Sequence, residues 1–189
     1  AVDLPTILDN LYADQTLQPM IVAAPEGATS FYRDDYERHI FDEVIPQLAD
    51  SYSISTDPSF RAIGGWSQGG NGALHHGWNR PEAFGLSLVI GAGGYCMDVV
   101  CDRSHWDEAL PGPAPATEFA LFVGVSDDLG IVANHEQIES VLGERDADAT
   151  SRFVAYPGHR VDGHSVRFLR LVMPEVLERA EAFFRRSPE

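Results

Sequence analysis

Two stretches of this 189-residue chain have residue types and spacing suited to proton transfer and nucleophilic attack. The first is Gly65-Trp66-Ser67-Gln68-Gly69, which follows the apolar run opening at Phe60 and leads into a small-residue segment. This G-x-S-x-G pattern fits a sharp strand-to-helix turn that lifts a serine hydroxyl above the carboxyl edge of a sheet. The flanking glycines are expected to leave room where a side chain would strike the neighbouring strand or helix. The backbone N–H of Gln68 is expected to face the point where an oxyanion forms. The bland alternative is a glycine-rich turn that only packs a helix against a strand.

A serine hydroxyl is a poor nucleophile at neutral pH, so it needs a histidine to take its proton and an acid to orient that histidine. On a sheet of this kind the three come in the order serine, acid, histidine, each after a strand. Phe119 to Gly124 reads as a strand and is followed by Val125-Ser126-Asp127-Asp128. Asp127 is the expected acid and Asp128 the reserve, although an aspartate here also caps the next helix well. Two histidines, His159 and His164, follow the last expected strand. His39, His75, His76 and His135 fall on expected helices and read as surface or packing residues. His105 lies in an irregular region that could fold over the cleft.

The positioning elements follow from periodicity. Asp3 to Gln15 carries Leu4, Ile7, Leu8 and Leu11 at helical spacing. Met20 to Ala24 is a short apolar run expected to be a strand buried on both faces. From Phe31 to Tyr52 the spacing is helical again, and Pro46 should kink or restart that helix. Strands are expected at Phe60 to Gly64, Leu86 to Ile90, Phe119 to Val123 and Arg152 to Tyr156. Helices are expected at Gln68 to Trp78, Ser104 to Leu110, Ile131 to Leu142 and Ser165 to Arg186. Alternating buried strands and helices imply one α/β domain over residues 1–189, with a mostly parallel sheet covered on both faces.

Composition narrows the function classes. Thirteen basic residues, all arginine, stand against 29 acidic ones, giving a net charge of −16. Such a surface repels phosphate backbones, which argues against a nucleic-acid partner. No apolar run is long enough to span a membrane. Cys96 and Cys101 could close a small loop as a disulfide or remain thiols, and they cannot complete a four-ligand zinc site alone. No metal or cofactor is expected. The compartment stays open, with an exported protein favoured over a cytoplasmic one.

Five segments together resemble the esterase D-type, or putative esterase, branch of the α/β-hydrolases. They are LDNLYADQTLQPMIVAAPEG, HIFDEVIPQLADSYSI, FRAIGGWSQGGNGAL with RPEAFG, FVGVSDD and GHSVRFLRLVMPEVL, running from about Leu8 to Leu177. That branch includes feruloyl and acetyl-xylan esterases, S-formylglutathione hydrolase and enterochelin esterases. The resemblance implies an α/β-hydrolase fold and a serine esterase with a Ser67–Asp127–His164 triad and the Gln68 N–H as an oxyanion donor. It favours His164 over His159, because Phe168 and Pro174 follow His164 at the family's offsets. His159 then reads as a residue near the site mouth, and Trp66, Tyr95 and Trp106 as candidates to line the substrate cleft.

The expected substrate is an acyl or feruloyl ester of a sugar. The alternatives are a small-molecule or thioester hydrolase, or an impaired relative kept for binding or structure. The last arises from a departure. The family has a further apolar strand ending in His-Gly, whose loop supplies the second oxyanion N–H, and no such segment precedes Met20. A strand missing from the sheet's centre would orphan buried backbone groups at a few kcal/mol each. The chain is therefore expected to lack an N-terminal segment, to receive one from another chain, or to re-pair its sheet.

Overall fold

The computed structural model describes residues 2–27, 30, 32–93, 101–126, 130–154 and 163–186. Its centre is a four-stranded parallel sheet in the order β1 (Ala62–Trp66), β2 (Leu86–Ile90), β3 (Glu118–Gly124) and β4 (Ala149–Val154). A helix links each strand to the next: α4 (Gln68–Asn79), α5 (Arg103–Ala109) and α6 (Ile131–Glu144), with α7 (Val166–Phe184) following β4. Three shorter helices precede β1: α1 (Leu4–Ala13), α2 (Asp35–Arg38) and α3 (Ile45–Ser51).

Side-chain alternation along the strands divides the core in two. Phe119 and Leu121 of β3 pack with Leu74 and Trp78 of α4, Trp106 of α5 and Ile138 and Leu142 of α6. Ala120 and Phe122 of the same strand pack on the other face with Phe168, Val172 and Val176 of α7. β2 and β3 are buried along their whole length, as strands covered on both faces should be. Glu118, the buried first residue of β3, is paired with Arg179 of α7 and with Arg186 just beyond it. Those pairs fasten α7 across the sheet.

Most expected elements form. Pro46 lies in the first turn of α3, and the six residues His39–Val44 before it form a π-helical turn. A proline cannot donate to the ladder and its ring crowds the carbonyl one turn back, so the helix loosens there and restarts. Phe60 lies in a short 3-10 turn with Pro58, which moves β1 two residues later than the apolar run suggests. β4 likewise starts earlier than expected, at Ala149.

One expected strand does not form. Met20 to Ala24 has no regular structure, and Ile21 and Val22 are 49% and 43% exposed. A strand exists only by pairing, and among the described residues β1 pairs with β2 alone. Met20 instead engages the Tyr12 hydroxyl through its N–H and carbonyl, both at 3.4 Å. The re-paired sheet is therefore not what these residues adopt. Among the described residues no strand pairs with the outer side of β1. Gly64 in the middle of that strand is exposed, so water can reach the edge.

Among the described residues, no helix is long and apolar enough to cross a membrane. Cys101 is buried and disulfide-bonded, whereas Cys96 lies outside the described residues.

Two histidines sit fully inside, His76 on α4 and His135 on α6. Burial pushes both down to about 4, with the neighbouring His75 adding to the effect at His76. An unfolded histidine takes up its proton near pH 6.5, so between there and pH 4 the unfolded chain binds more protons and stability falls as pH falls. The expected loss is about 2 kcal/mol per histidine at pH 5. Urea unfolding at pH 7.5 and pH 5 checks this. Equal midpoints and slopes at the two pH values would contradict it.

Candidate active site

β1, β2 and β3 pair in parallel, with Trp66 beside Ile90 and Ile90 beside Phe122, two residues before β3 ends. Whatever follows each strand is thereby delivered to one edge of the sheet, the usual place for ligand chemistry in open α/β sheets. Ser67 follows β1 directly, with φ 56° and ψ −115°. Such a backbone is costly for a residue with a Cβ and persists only where its surroundings impose it. Here the Ser67 N–H donates to the Ile90 carbonyl at 2.8 Å, and the Ser67 carbonyl accepts from Asn71 N–H at 3.0 Å. The turn is pinned on both sides.

The two glycines of the motif are not equivalent. A Cβ on Gly65 would come within 2.4 Å of the Gly69 carbonyl carbon and oxygen, which are backbone and cannot swing away. A Cβ on Gly69 would meet, among the described residues, only the Tyr32 ring at 3.8 Å. The expectation that both glycines avoid collision thus holds for Gly65 and not for Gly69. The close approach brings α4 against the end of β1 and starts that helix at Gln68. As the first helical residue, Gln68 carries one of the N–H groups that have no carbonyl partner within the helix, at its positive end.

His164 reaches the same point from the other end of the sheet. Its Nε2 is 2.8 Å from Ser67 Oγ. The loop carrying it is set by Gly124, where a Cβ would stand 2.6 Å from the Cα and carbonyl oxygen of Gly163. The Gly163 N–H donates to the Ser126 carbonyl at 3.4 Å, a long contact joining the residue before His164 to the residue before Asp127. Ser165 caps α7 by accepting from Phe168 N–H at 3.2 Å, so the helix begins just after the histidine. The histidine ring lies beside Trp66, with centroids 5.1 Å apart and planes 35° apart. Gly91, φ 54°, borders both rings: a Cβ there would stand 3.3 Å from His164 Nδ1 and 3.5 Å from Trp66 Cδ1. Sequence reasoning missed Gly91; its one signal is a glycine directly after the apolar run Leu86 to Ile90.

Asp127, Asp128, Tyr95 and His159 lie outside the described residues. Trp106 is a core residue and not a cleft residue: it is 1% exposed and its indole N–H donates to Gln137 Oε1 at 2.8 Å. The segment at α5 is short and apolar on one side, and burying that side takes the tryptophan inward. His105 is exposed and its Nδ1 pairs with Asp102 at 2.9 Å.

Elsewhere, Glu37, His75 and His76 bring donor atoms within 4.8 Å of one another. Most of these atoms are already engaged, although His76 Nδ1 is buried with no hydrogen-bond partner among the described residues. Arg80 donates to Glu37 at 2.9 Å and His76 Nε2 donates to the Tyr32 carbonyl at 2.7 Å. The Asn79 amide nitrogen donates to the His75 carbonyl and to His75 Nδ1, at 2.9 and 3.1 Å. His75 Nε2 then holds the ring proton and faces Glu37 at 3.6 Å. The group clamps residues 32–38 to α4, and its Arg80 cation opposes a metal ion.

A strand-turn-serine bonded to a histidine, on a parallel sheet wrapped by helices, defines an α/β-hydrolase. Residues 10–110 match the family model described as Putative esterase, and the chain belongs to that family. Over 105 residues it is 30% identical to an endo-1,4-beta-xylanase/feruloyl esterase of Xylanibacter ruminicola, an alignment covering 51% of this chain and 14% of that protein. Its fold is similar to a ferulic acid esterase (TM-score 0.76, 17% identity, 96% of this chain and 77% of the other). It is also similar to the enterobactin esterase of Shigella flexneri (TM-score 0.75, 19% identity, 92% and 45%). A fluorophosphonate-binding serine hydrolase of Staphylococcus aureus is a further match (TM-score 0.67, 13% identity, 82% and 69%). The aligned part is thus a small fraction of the xylanase relative and under half of the enterobactin esterase.

The glycine geometry predicts opposite outcomes for two similar changes. Gly65→Ala should lose 2 kcal/mol or more, at the order of magnitude expected for overpacking against backbone. Gly69→Ala should keep or gain stability, because alanine favours the helix by roughly 0.5–1 kcal/mol. Thermal unfolding of both variants decides it, and equal losses would sink the argument.

Proposed function

We propose that this chain is a serine carboxylic-ester hydrolase working through an acyl-enzyme on Ser67. The observation that carries the reading is the 2.8 Å contact between Ser67 Oγ and His164 Nε2, with Ser67 held in a backbone conformation that only its neighbours impose. Membership of the Putative esterase family supports it.

In the proposed first step His164 Nε2 takes the Ser67 proton as Oγ bonds to the acyl carbon, and charge passes to the carbonyl oxygen. The Gln68 N–H, at the positive end of α4, opposes that charge. His164 then gives its proton to the leaving oxygen as the bond from that oxygen to the acyl carbon breaks. Water repeats the sequence to free the acid and restore Ser67. Asp127 is the proposed orienting acid. The Gly163-to-Ser126 contact supports it, since it joins the residues preceding His164 and Asp127. It supports Asp128 less directly, one residue further on.

Acyl or feruloyl esters of sugars are the proposed substrates. Support comes from the family, from the 30% identity to a protein named as a feruloyl esterase, and from the fold shared with a ferulic acid esterase. The open outer side of β1 favours a second reading, in which the chain alone is impaired. In the family the strand on that side brings the second oxyanion donor, and losing one donor costs about 10²–10³ in turnover.

A fluorophosphonate should label the wild type and leave Ser67→Ala unlabelled, and His164→Gln should lower ester turnover by about 10⁴. Methyl ferulate, p-nitrophenyl acetate and a thioester assayed in parallel rank the substrate classes. Labelling with no turnover of any of them would favour the impaired reading. An active, labelled Ser67→Ala would end the proposal.

A further inference from the structure

We propose that Trp66 is a positioning residue for His164, holding the imidazole against Ser67, rather than a wall of the substrate cleft. This rests on the reading of Ser67 and His164 as nucleophile and base.

The histidine ring rests beside the indole of Trp66, with ring centroids 5.1 Å apart. Gly91 borders both rings, and a methyl group there would press on His164 Nδ1 at 3.3 Å and on Trp66 Cδ1 at 3.5 Å. The glycine thus leaves room for the two rings to meet. Trp66 packs on the core cluster that includes Ile90 and Phe122, so it does not move with the loop that carries the histidine. It is also the residue before Ser67. The strand that ends at the nucleophile thus sets the ring against which its base rests.

The indole N–H adds an independent observation. It is buried and has no hydrogen-bond partner among the described residues. A buried donor left unpaired is unfavourable, and tryptophan normally turns to satisfy it. The orientation adopted here therefore is not chosen by hydrogen bonding. What it gains is a ring face next to His164.

That face carries partial negative charge and attracts a cation within about 6 Å of its centre. In the proposed step His164 gains positive charge as it accepts the Ser67 proton, so the attraction grows in the transition state. The effect should fall on turnover and not on substrate affinity.

Trp66→Leu removes the ring face and keeps apolar bulk. Trp66→Phe keeps a ring face and removes the orphaned N–H. With p-nitrophenyl acetate, and with protein concentration normalised by phosphonate labelling of Ser67, the leucine variant should lose about 3- to 30-fold in kcat. Its KM should stay within about twofold of wild type. The phenylalanine variant should recover most of the loss. A leucine variant with unchanged kcat, or one whose KM rises while kcat holds, would overturn the proposal and return Trp66 to the substrate cleft.

Wild-type protein supplies a second arm that needs no folded variant of Trp66. The His164 ring-proton resonances, assigned by their disappearance in His164→Gln, should be displaced upfield by the indole ring current. Undisplaced resonances would refute the ring pair. Unimpaired hydrolysis by Ser67→Ala would defeat the underlying serine–histidine reading instead, and would leave the resonance result standing on its own.

Discussion

Everything at the site hangs on one backbone contact, the approach of the α4 N-terminus to the end of β1 across the missing side chain of Gly65. With no Cβ in the way, the Gly69 backbone comes where a methyl group would overlap it. The chain can then reverse within a single residue, and that residue is Ser67. Its unfavourable backbone angles are repaid by hydrogen bonds to β2 and to α4. Loosening the contact would release the serine, the helix end behind it and the alignment of both with β2.

The second half of the site depends on the same device used elsewhere. Gly124, at the end of β3, lets the Gly163 backbone lie against it, and His164 follows. Ser67 and His164 are thus both fixed by main-chain contacts next to them, with regular elements behind. Placement by backbone is stiff, because nothing in the contact can change rotamer. The 2.8 Å serine–histidine separation is the product of two such contacts made by segments 97 residues apart.

Much of this was legible in the sequence because it is local. β2 forms over the expected residues Leu86 to Ile90, α4 and α6 start where periodicity placed them, and the proline at 46 restarts its helix. Ser67 and His164 were both named from motif and order, and they meet. What was not legible is relational. Met20 to Ala24 has the composition of a strand, yet no neighbouring strand pairs with it among the described residues. Trp66 and Trp106 were alike in sequence as aromatics near the site, but one lies against His164 and the other is sealed under α5. Gly91 matters only because a ring from residue 164 passes over it. Asp127 and His159 were named from the same reasoning and lie outside the described residues.

The open outer edge of β1 has a colloidal consequence. A row of unpaired backbone groups is a template for another chain, and the exposed Ile21 and Val22 add an adhesive surface to the molecule. Net charge counters this. At −16, two copies repel over a screening length of about 10 Å at 0.1 M salt, roughly twice the strand spacing, so repulsion acts before the edges can touch. At 1 M salt that length shrinks to about 3 Å, less than the spacing itself. Charge repulsion between copies thus opposes edge pairing at low salt and is largely screened in concentrated salt.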